Sequence, residues 1–221
     1  MIAPSVLSSL SKAVTSRILY QHPGRHSLRS SSFRAKSTTT STYEKITFIG
    51  TGKMAQALIA PLIETSIQPA EKITVYDVST SSMKQIASRF KGVQTSESIP
   101  HAIEGSDLVI MAVKPQNVNN VYNEMNKSNI RNDATLLSVI AGKTIENLVS
   151  GSGIRKVCRS MPNTPAIIGQ GMTVWCCTTN IPSEERDKIS SVLDSFGKSI
   201  FGRYISILLY MYIANDIYIG V

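Results

Sequence analysis

From Tyr43 onward, short apolar runs alternate with stretches of helical periodicity. Ile46-Thr47-Phe48-Ile49 is a β-branched and aromatic run that stops at Gly50, and it predicts a strand. From Met54 to Thr65, the residues Met54, Leu58 and Leu62, with Ala55 and Ile59, fall on one helical face. Pro61 lies inside that stretch. It lacks an amide hydrogen and crowds the preceding turn, so a kink or an early end is expected there. Ile73-Thr74-Val75-Tyr76 predicts a second strand, followed by a helix from about Ser81 to Phe90. Leu108 to Val113 and Thr135 to Ile140 are continuous apolar runs suited to strands buried on both faces. Lys156 to Arg159 and Met172 to Cys177 predict further strands. Pro182 to Phe196 predicts a helix, with Pro182 suited to its first turn and Gly197 to its C-terminal cap. Strand and helix alternating in this way predict the α/β class: a mostly parallel sheet covered by helices and joined by right-handed crossovers.

Charge changes the picture at one end. Residues 1–42 contain no Asp or Glu, and they hold Lys12, Arg17, Arg25, Arg29, Arg34 and Lys36 among scattered serines. Six of the eight net positive charges therefore belong to this leader. A nucleic-acid surface needs basic residues clustered on a folded face, and the body lacks that excess. Val6, Leu10, Val14 and Ile18 recur every four residues, so a helix in the leader would carry an apolar stripe. An Arg- and Ser-rich, acid-poor, amphipathic leader is expected to be a mitochondrial transit peptide; the alternative is a basic tail on a cytoplasmic protein. The continuous apolar stretch of a secretory signal is missing. Cys158, Cys176 and Cys177 have no metal-ligand spacing, and no metal site is expected. Adjacent cysteines in an apolar run read as small buried side chains, which suits a reducing compartment.

The candidate chemistry sits where predicted strands end. Gly50-x-Gly52-x-x-Ala55 closes one strand and opens a helix, the context of a dinucleotide fingerprint. Gly50 permits the tight turn, Gly52 leaves room for a pyrophosphate, and Ala55 allows close helix–strand packing. The helix N-terminus adds unpaired amide donors. An ordinary glycine turn is the plainer reading. Asp77 follows the second strand, 25 residues after Gly52, where an acid can bind the adenosine ribose and disfavour a 2′-phosphate. This leans toward NADH, while Ser79, Thr80, Ser81 and Ser82 could bond a phosphate; Asp77 could equally cap the next helix. Ala112-Val113-Lys114-Pro115 and Ala141-Gly142-Lys143 follow two buried strands, so Lys114 and Gly142 are expected at the carboxyl edge where such sheets bind ligands. Met161-Pro162-Asn163-Thr164-Pro165 brackets a polar pair between prolines, which would stiffen the backbone and aim the Asn amide and Thr hydroxyl. On its own it could be a plain turn.

In order and spacing these motifs resemble the pyrroline-5-carboxylate reductases. The likeness rests on the loop from Ile49 to Met54, Ala112 to Gln116, Ser138 to Ile145, Arg159 to Pro165 and Gly169-Gln170-Gly171, and it runs from about Ile46 to Gly202. The resemblance implies a Rossmann-like domain that binds NADPH or NADH. It also implies hydride transfer to the imine of 1-pyrroline-5-carboxylate, giving L-proline, with no membrane or nucleic-acid partner. By position, Ile49, Gly50, Thr51, Gly52, Lys53, Met54, Asp77, Ser79, Ser98, Ala112, Val113, Lys114, Pro115, Ala141 and Gly142 would line the cofactor. Asn163, Thr164 and Lys114 would serve catalysis. Ser98 stands where the family commonly has Asn, and Asp77 where it often has a small polar residue.

The family continues into a helical domain that forms a homo-oligomer and binds the substrate carboxylate. Its sequence segments are absent here, and after Gly202 the chain reads as an apolar tail too short to span a membrane. The expected organisation is a leader at 1–42, a dinucleotide domain at 43–202 and an atypical tail at 203–221, with the reductase truncated. Two alternatives stand beside it: a non-catalytic dinucleotide-binding fragment or decoy subunit, and a different hydroxyacid or imine dehydrogenase.

Overall fold

A computed structural model describes residues 43–202. The leader and the apolar tail lie outside the described residues. Within them, eight strands form one sheet: β1 (Ile46–Ile49), β2 (Ile73–Tyr76), β3 (Gln94–Thr95), β4 (Leu108–Met111), β5 (Thr135–Ser138), β6 (Lys156–Met161), β7 (Gly171–Cys177) and β8 (Gly197–Phe201). Six α-helices accompany them: α1 (Lys53–Glu64), α2 (Thr80–Arg89), α3 (Ile99–Ile103), α4 (Val118–Met125), α5 (Ile145–Ser152) and α6 (Ser183–Asp194). The strand order is β3-β2-β1-β4-β5-β6-β7-β8. Neighbours among β1 to β6 pair in parallel, β7 is antiparallel to β6, and β8 is parallel to β7.

The pleat of the strands explains the two cores. Successive side chains point to opposite faces. Phe48, Ile110 and Leu137 therefore join Leu58 and Ile59 of α1, Ile86 of α2 and Ile189 and Val192 of α6 on one face. Ile49, Val109, Met111 and Leu136 join Ile103 of α3, Val121 of α4 and Leu148 of α5 on the other. Both faces of the central strands are covered, so β4 is apolar at every position, and the one polar side chain of β1, Thr47, is buried with its hydroxyl donating to the Ala102 carbonyl at 2.8 Å. Each such Leu or Ile contributes about 1.5–3 kcal/mol when fully buried.

Several local expectations change. α1 runs through Pro61 and ends only at Glu64, with the Thr65 amide bonded to the Pro61 carbonyl at 2.9 Å. Gly197 opens β8 instead of capping α6. Its backbone has φ +149° and lies against that of Gly171, leaving no room for a side chain. β4 stops at Met111 and β5 at Ser138, which releases Ala112, Val113 and Ala141 into loops at the carboxyl edge. Among the described residues, no helix is long and apolar enough to cross a membrane.

From β1 the chain proceeds to β2 and β3 on one side, then returns to β4 and proceeds outward on the other. The ends of β1 and β4 are thus the topological switch point, where an open α/β sheet presents its ligand crevice.

Candidate functional site

The loop after β1 is fixed from both neighbouring strands. The Gly50 amide donates to the Tyr76 carbonyl at 2.8 Å, and the Ala112 amide donates to the Ile49 carbonyl at 2.8 Å. Gly50 has φ +97°, and a β-carbon there would sit 2.7 Å from the Ala112 carbonyl oxygen. Two residues on, Gly52 has ordinary extended backbone and precedes α1, with no side-chain cap on the helix. A β-carbon on Gly52 would meet nothing within 4 Å. The two glycines serve opposite ends: Gly50 lets the chain pass close to β4, and Gly52 keeps the crevice clear. The first amides of α1 have no intrahelical acceptors, so their hydrogens and the helix dipole favour an anion in that space.

Thr51, between them, is 1% exposed. Its amide and hydroxyl both donate to Asp77 Oδ2, at 2.8 and 2.9 Å. Asp77 Oδ1 accepts the Ser79 amide at 2.9 Å. Ser79 is the N-cap of α2, its hydroxyl accepting the Ser82 amide at 3.3 Å. Ser98 likewise caps α3, accepting the His101 amide at 3.4 Å. Lys53 is exposed and Met54 half-buried at the start of α1.

Gly52, Asp77, Val78, Ala112, Val113 and Lys114 border a cavity of 570 Å³ at the switch point. That volume is within the ordinary range for cofactor and small-molecule sites. Ile49 and Tyr76 also line it, together with Asn120, Val121 and Glu124 of α4. Lys114 is exposed, with no hydrogen-bonding or ionic partner for its ammonium among the described residues. Pro115 opens a short 3-10 turn that leads into α4. Val78, 86% exposed, offers an apolar surface beside Asp77. Sequence reasoning passed over it, because one apolar residue in a serine-rich loop has no period to mark it.

Ala141 and Gly142 are exposed in the loop after β5, with Gly142 at φ +76°. They stand one strand beyond Lys114 on the same edge. β6 ends at Met161 on that edge, and a 3-10 helix over Thr164–Ile168 follows. Asn163 Oδ1 accepts the Met172 amide of β7 at 2.9 Å, while its own carbonyl accepts the Ala166 amide at 3.0 Å. The polar pair thus divides. Asn163 is turned in part toward β7, and the Thr164 side chain lies outside what the structure describes. Buried Ser160 ties β6 to β5 through a 3.1 Å bond to the Ser138 carbonyl. No group of His, Cys, Asp or Glu among the described residues could hold a metal ion. Cys158 and Cys177 are register partners across β6 and β7, and all three cysteines are free.

Residues 45–142 match the family described as NADP oxidoreductase, coenzyme F420-dependent. The pyrroline-5-carboxylate reductase of Escherichia coli (strain K12) is 31% identical over 157 residues, which cover 71% of this chain and 58% of that protein. The structure of a pyrroline-5-carboxylate reductase from Coxiella burnetii superposes with a TM-score of 0.67 at 24% identity, over 72% of this chain and 58% of the other. The Plasmodium falciparum pyrroline carboxylate reductase with NADP bound gives a TM-score of 0.59 at 21% identity, over 80% and 70%. The chain spans a little over half the length of the E. coli relative. In motif order and sequence the described residues are similar to the pyrroline-5-carboxylate reductases, and they share that fold.

Proposed function

We propose that residues 43–202 bind NADPH or NADH across the ends of β1 and β4, and serve the reduction of 1-pyrroline-5-carboxylate to L-proline. The observation that carries this reading is the open space at Gly52: the loop is closed tightly at Gly50, yet clear where a pyrophosphate would approach α1. When bound, the reduced nicotinamide supplies a hydride to the imine carbon, and the ring nitrogen gains a proton from the medium or a nearby donor.

The residues of the chain supply position and electrostatics. Gly52, Lys53 and Met54 present the helix N-terminus to the phosphates. Val78, Ser79 and Ser98 belong to the adenosine side of the cleft. Ala112, Val113, Lys114 and Pro115, with Ala141 and Gly142, form the edge along which the nicotinamide riboside lies. Lys114 adds a positive charge at that edge, and the bracketed Asn163 and Thr164 limit the poses open to the reacting ring. Holding donor and acceptor at near-attack distance can supply about 7–11 kcal/mol of the barrier reduction, so a shifted loop should cost turnover steeply.

The E. coli relative gives the test. Its matched segment is exchanged for residues 43–202, and NADPH or NADH oxidation is followed with and without the imine. Imine-dependent oxidation with proline as product is expected. Nucleotide binding without turnover would leave the chain as a dinucleotide-binding module.

Residues 1–42 are proposed as a mitochondrial address, supported by their Arg- and Ser-rich, acid-free composition. Fused to a fluorescent passenger, they should deliver it to mitochondria and be removed. A diffuse signal with the leader intact by mass would contradict this.

A further inference from the structure

An acid at the end of the second strand ordinarily faces the adenosine ribose and so chooses between cofactors with and without a 2′-phosphate. Asp77 stands at that position, but its oxygens are turned to the protein. Oδ2 accepts two hydrogen bonds, from the Thr51 amide at 2.8 Å and the Thr51 hydroxyl at 2.9 Å. Oδ1 accepts the Ser79 amide at 2.9 Å. An ionised carboxylate has about four acceptor positions, so three are occupied before any ligand arrives. The donors also surround the negative charge and reduce its reach toward a phosphate.

We propose that Asp77 is a positioning residue: it clips the glycine loop to the loop after β2 and sets the place of Gly52, rather than selecting NADH over NADPH. The inference rests on the nucleotide-binding reading above. Thr51 is the central residue of the glycine loop, and its amide hydrogen points to Asp77 instead of the cleft. Gly50 is already fixed to β2 through the Tyr76 carbonyl. With Thr51 held as well, Gly52 and the uncapped first turn of α1 have one position relative to the crevice. The same carboxylate holds Ser79, whose hydroxyl caps α2. Two walls of the cleft therefore share one anchor. Removing it should loosen both walls, and both cofactors should feel the loss equally.

The full chain is titrated with NADH and with NADPH, comparing Asp77→Ala, Asp77→Asn, Thr51→Val and the double variant Thr51→Val/Asp77→Ala. Asp77→Ala should weaken both cofactors by about tenfold, keeping their affinity ratio within about threefold. Asp77→Asn retains one acceptor oxygen and should fall between wild type and Ala for both. Thr51→Val should weaken both, and should add nothing once Asp77 is already Ala, because the two residues act through one contact. If Asp77→Ala does not fold, Asp77→Asn and Thr51→Val still give the comparison. A tenfold or greater shift of preference toward NADPH in either Asp77 variant would overturn the proposal. So would a Thr51→Val effect that persists in full without Asp77, or unchanged affinities throughout. Failure of the unsubstituted chain to bind either cofactor would overturn the functional reading itself and this inference with it.

Discussion

The Met172 amide donates to the Asn163 side-chain oxygen across 2.9 Å, fastening the proline-bracketed turn to the start of β7. The two prolines limit the turn from within, and this bond fixes it from outside. Asn163→Ala would leave the amide of a half-buried strand residue without its acceptor, at a cost of about 1–3 kcal/mol. For a domain of this size that is a fall of several degrees in melting temperature. Asn163→Asp keeps an acceptor oxygen and should melt close to wild type. Equal melting temperatures for wild type and Asn163→Ala would show that the bond holds nothing.

Gly50 should behave as a folding residue. At φ +97°, with the Ala112 carbonyl 2.7 Å from a would-be β-carbon, Gly50→Ala meets both backbone strain and a collision with a fixed strand end. Strain alone costs about 1–3 kcal/mol. Chemical denaturation should show a lower midpoint for Gly50→Ala, while Gly52→Ala should leave the midpoint unchanged. A Gly50→Ala variant as stable as wild type would contradict the close approach of β1 and β4.

Alkaline pH should destabilise the protein in two stages. Burial pushes the Cys176 thiol from 9.0 up to about 11. Burial, then the charge and hydrogen bond of Glu185, push the Tyr43 hydroxyl above its usual 10.0. Both folded-state values are raised, so both groups stabilise the fold fully below their unfolded values and lose that contribution as pH rises. The first loss should begin near pH 9 and be smaller in Cys176→Ala, the remainder coming from Cys158, whose thiol is pushed up by its bond to Cys177 and by burial. The second should begin near pH 10 and be smaller in Tyr43→Phe, the remainder coming from Tyr122, whose hydroxyl is also pushed up by burial. Tyr43→Phe is also less stable at neutral pH by about 1 kcal/mol for the lost bond. Denaturation midpoints measured from pH 7 to 11 check both. A stability that rises across this range would reverse the sign and refute the assignment.

The middle of the sheet was legible in the sequence because Ile46 to Ile49 and Leu108 to Met111 are buried on both faces and so are apolar at every position but Thr47. The two-residue strand β3 and the five-residue α3, which contains Pro100, are too short to show a period. The direction of β7 has no local signature, since Gly171–Cys177 reads alike whichever way it pairs. At the site, Gly50, Gly52 and Lys114 were legible because strand ends place them on one edge. The partners of Asp77 and Asn163 were not. Thr51 lies 26 positions before Asp77 on a neighbouring loop, and Met172 lies 9 positions after Asn163 on a reversing strand. Such bonds depend on which strands become neighbours, and a single stretch of sequence does not contain that information.

The proposed nucleotide site requires the space above Gly52 to receive the pyrophosphate of a nicotinamide dinucleotide. Fluorescence titration of the full chain with NADPH and NADH, for wild type and Gly52→Val, tests it most directly. Nothing in the protein lies within 4 Å of a β-carbon at Gly52, so the variant should fold and melt as wild type does. The added side chain would occupy the phosphate position, and affinity for both nucleotides should fall at least about a hundredfold, a loss of about 2.7 kcal/mol. Unchanged affinity in a folded Gly52→Val protein would contradict the claim.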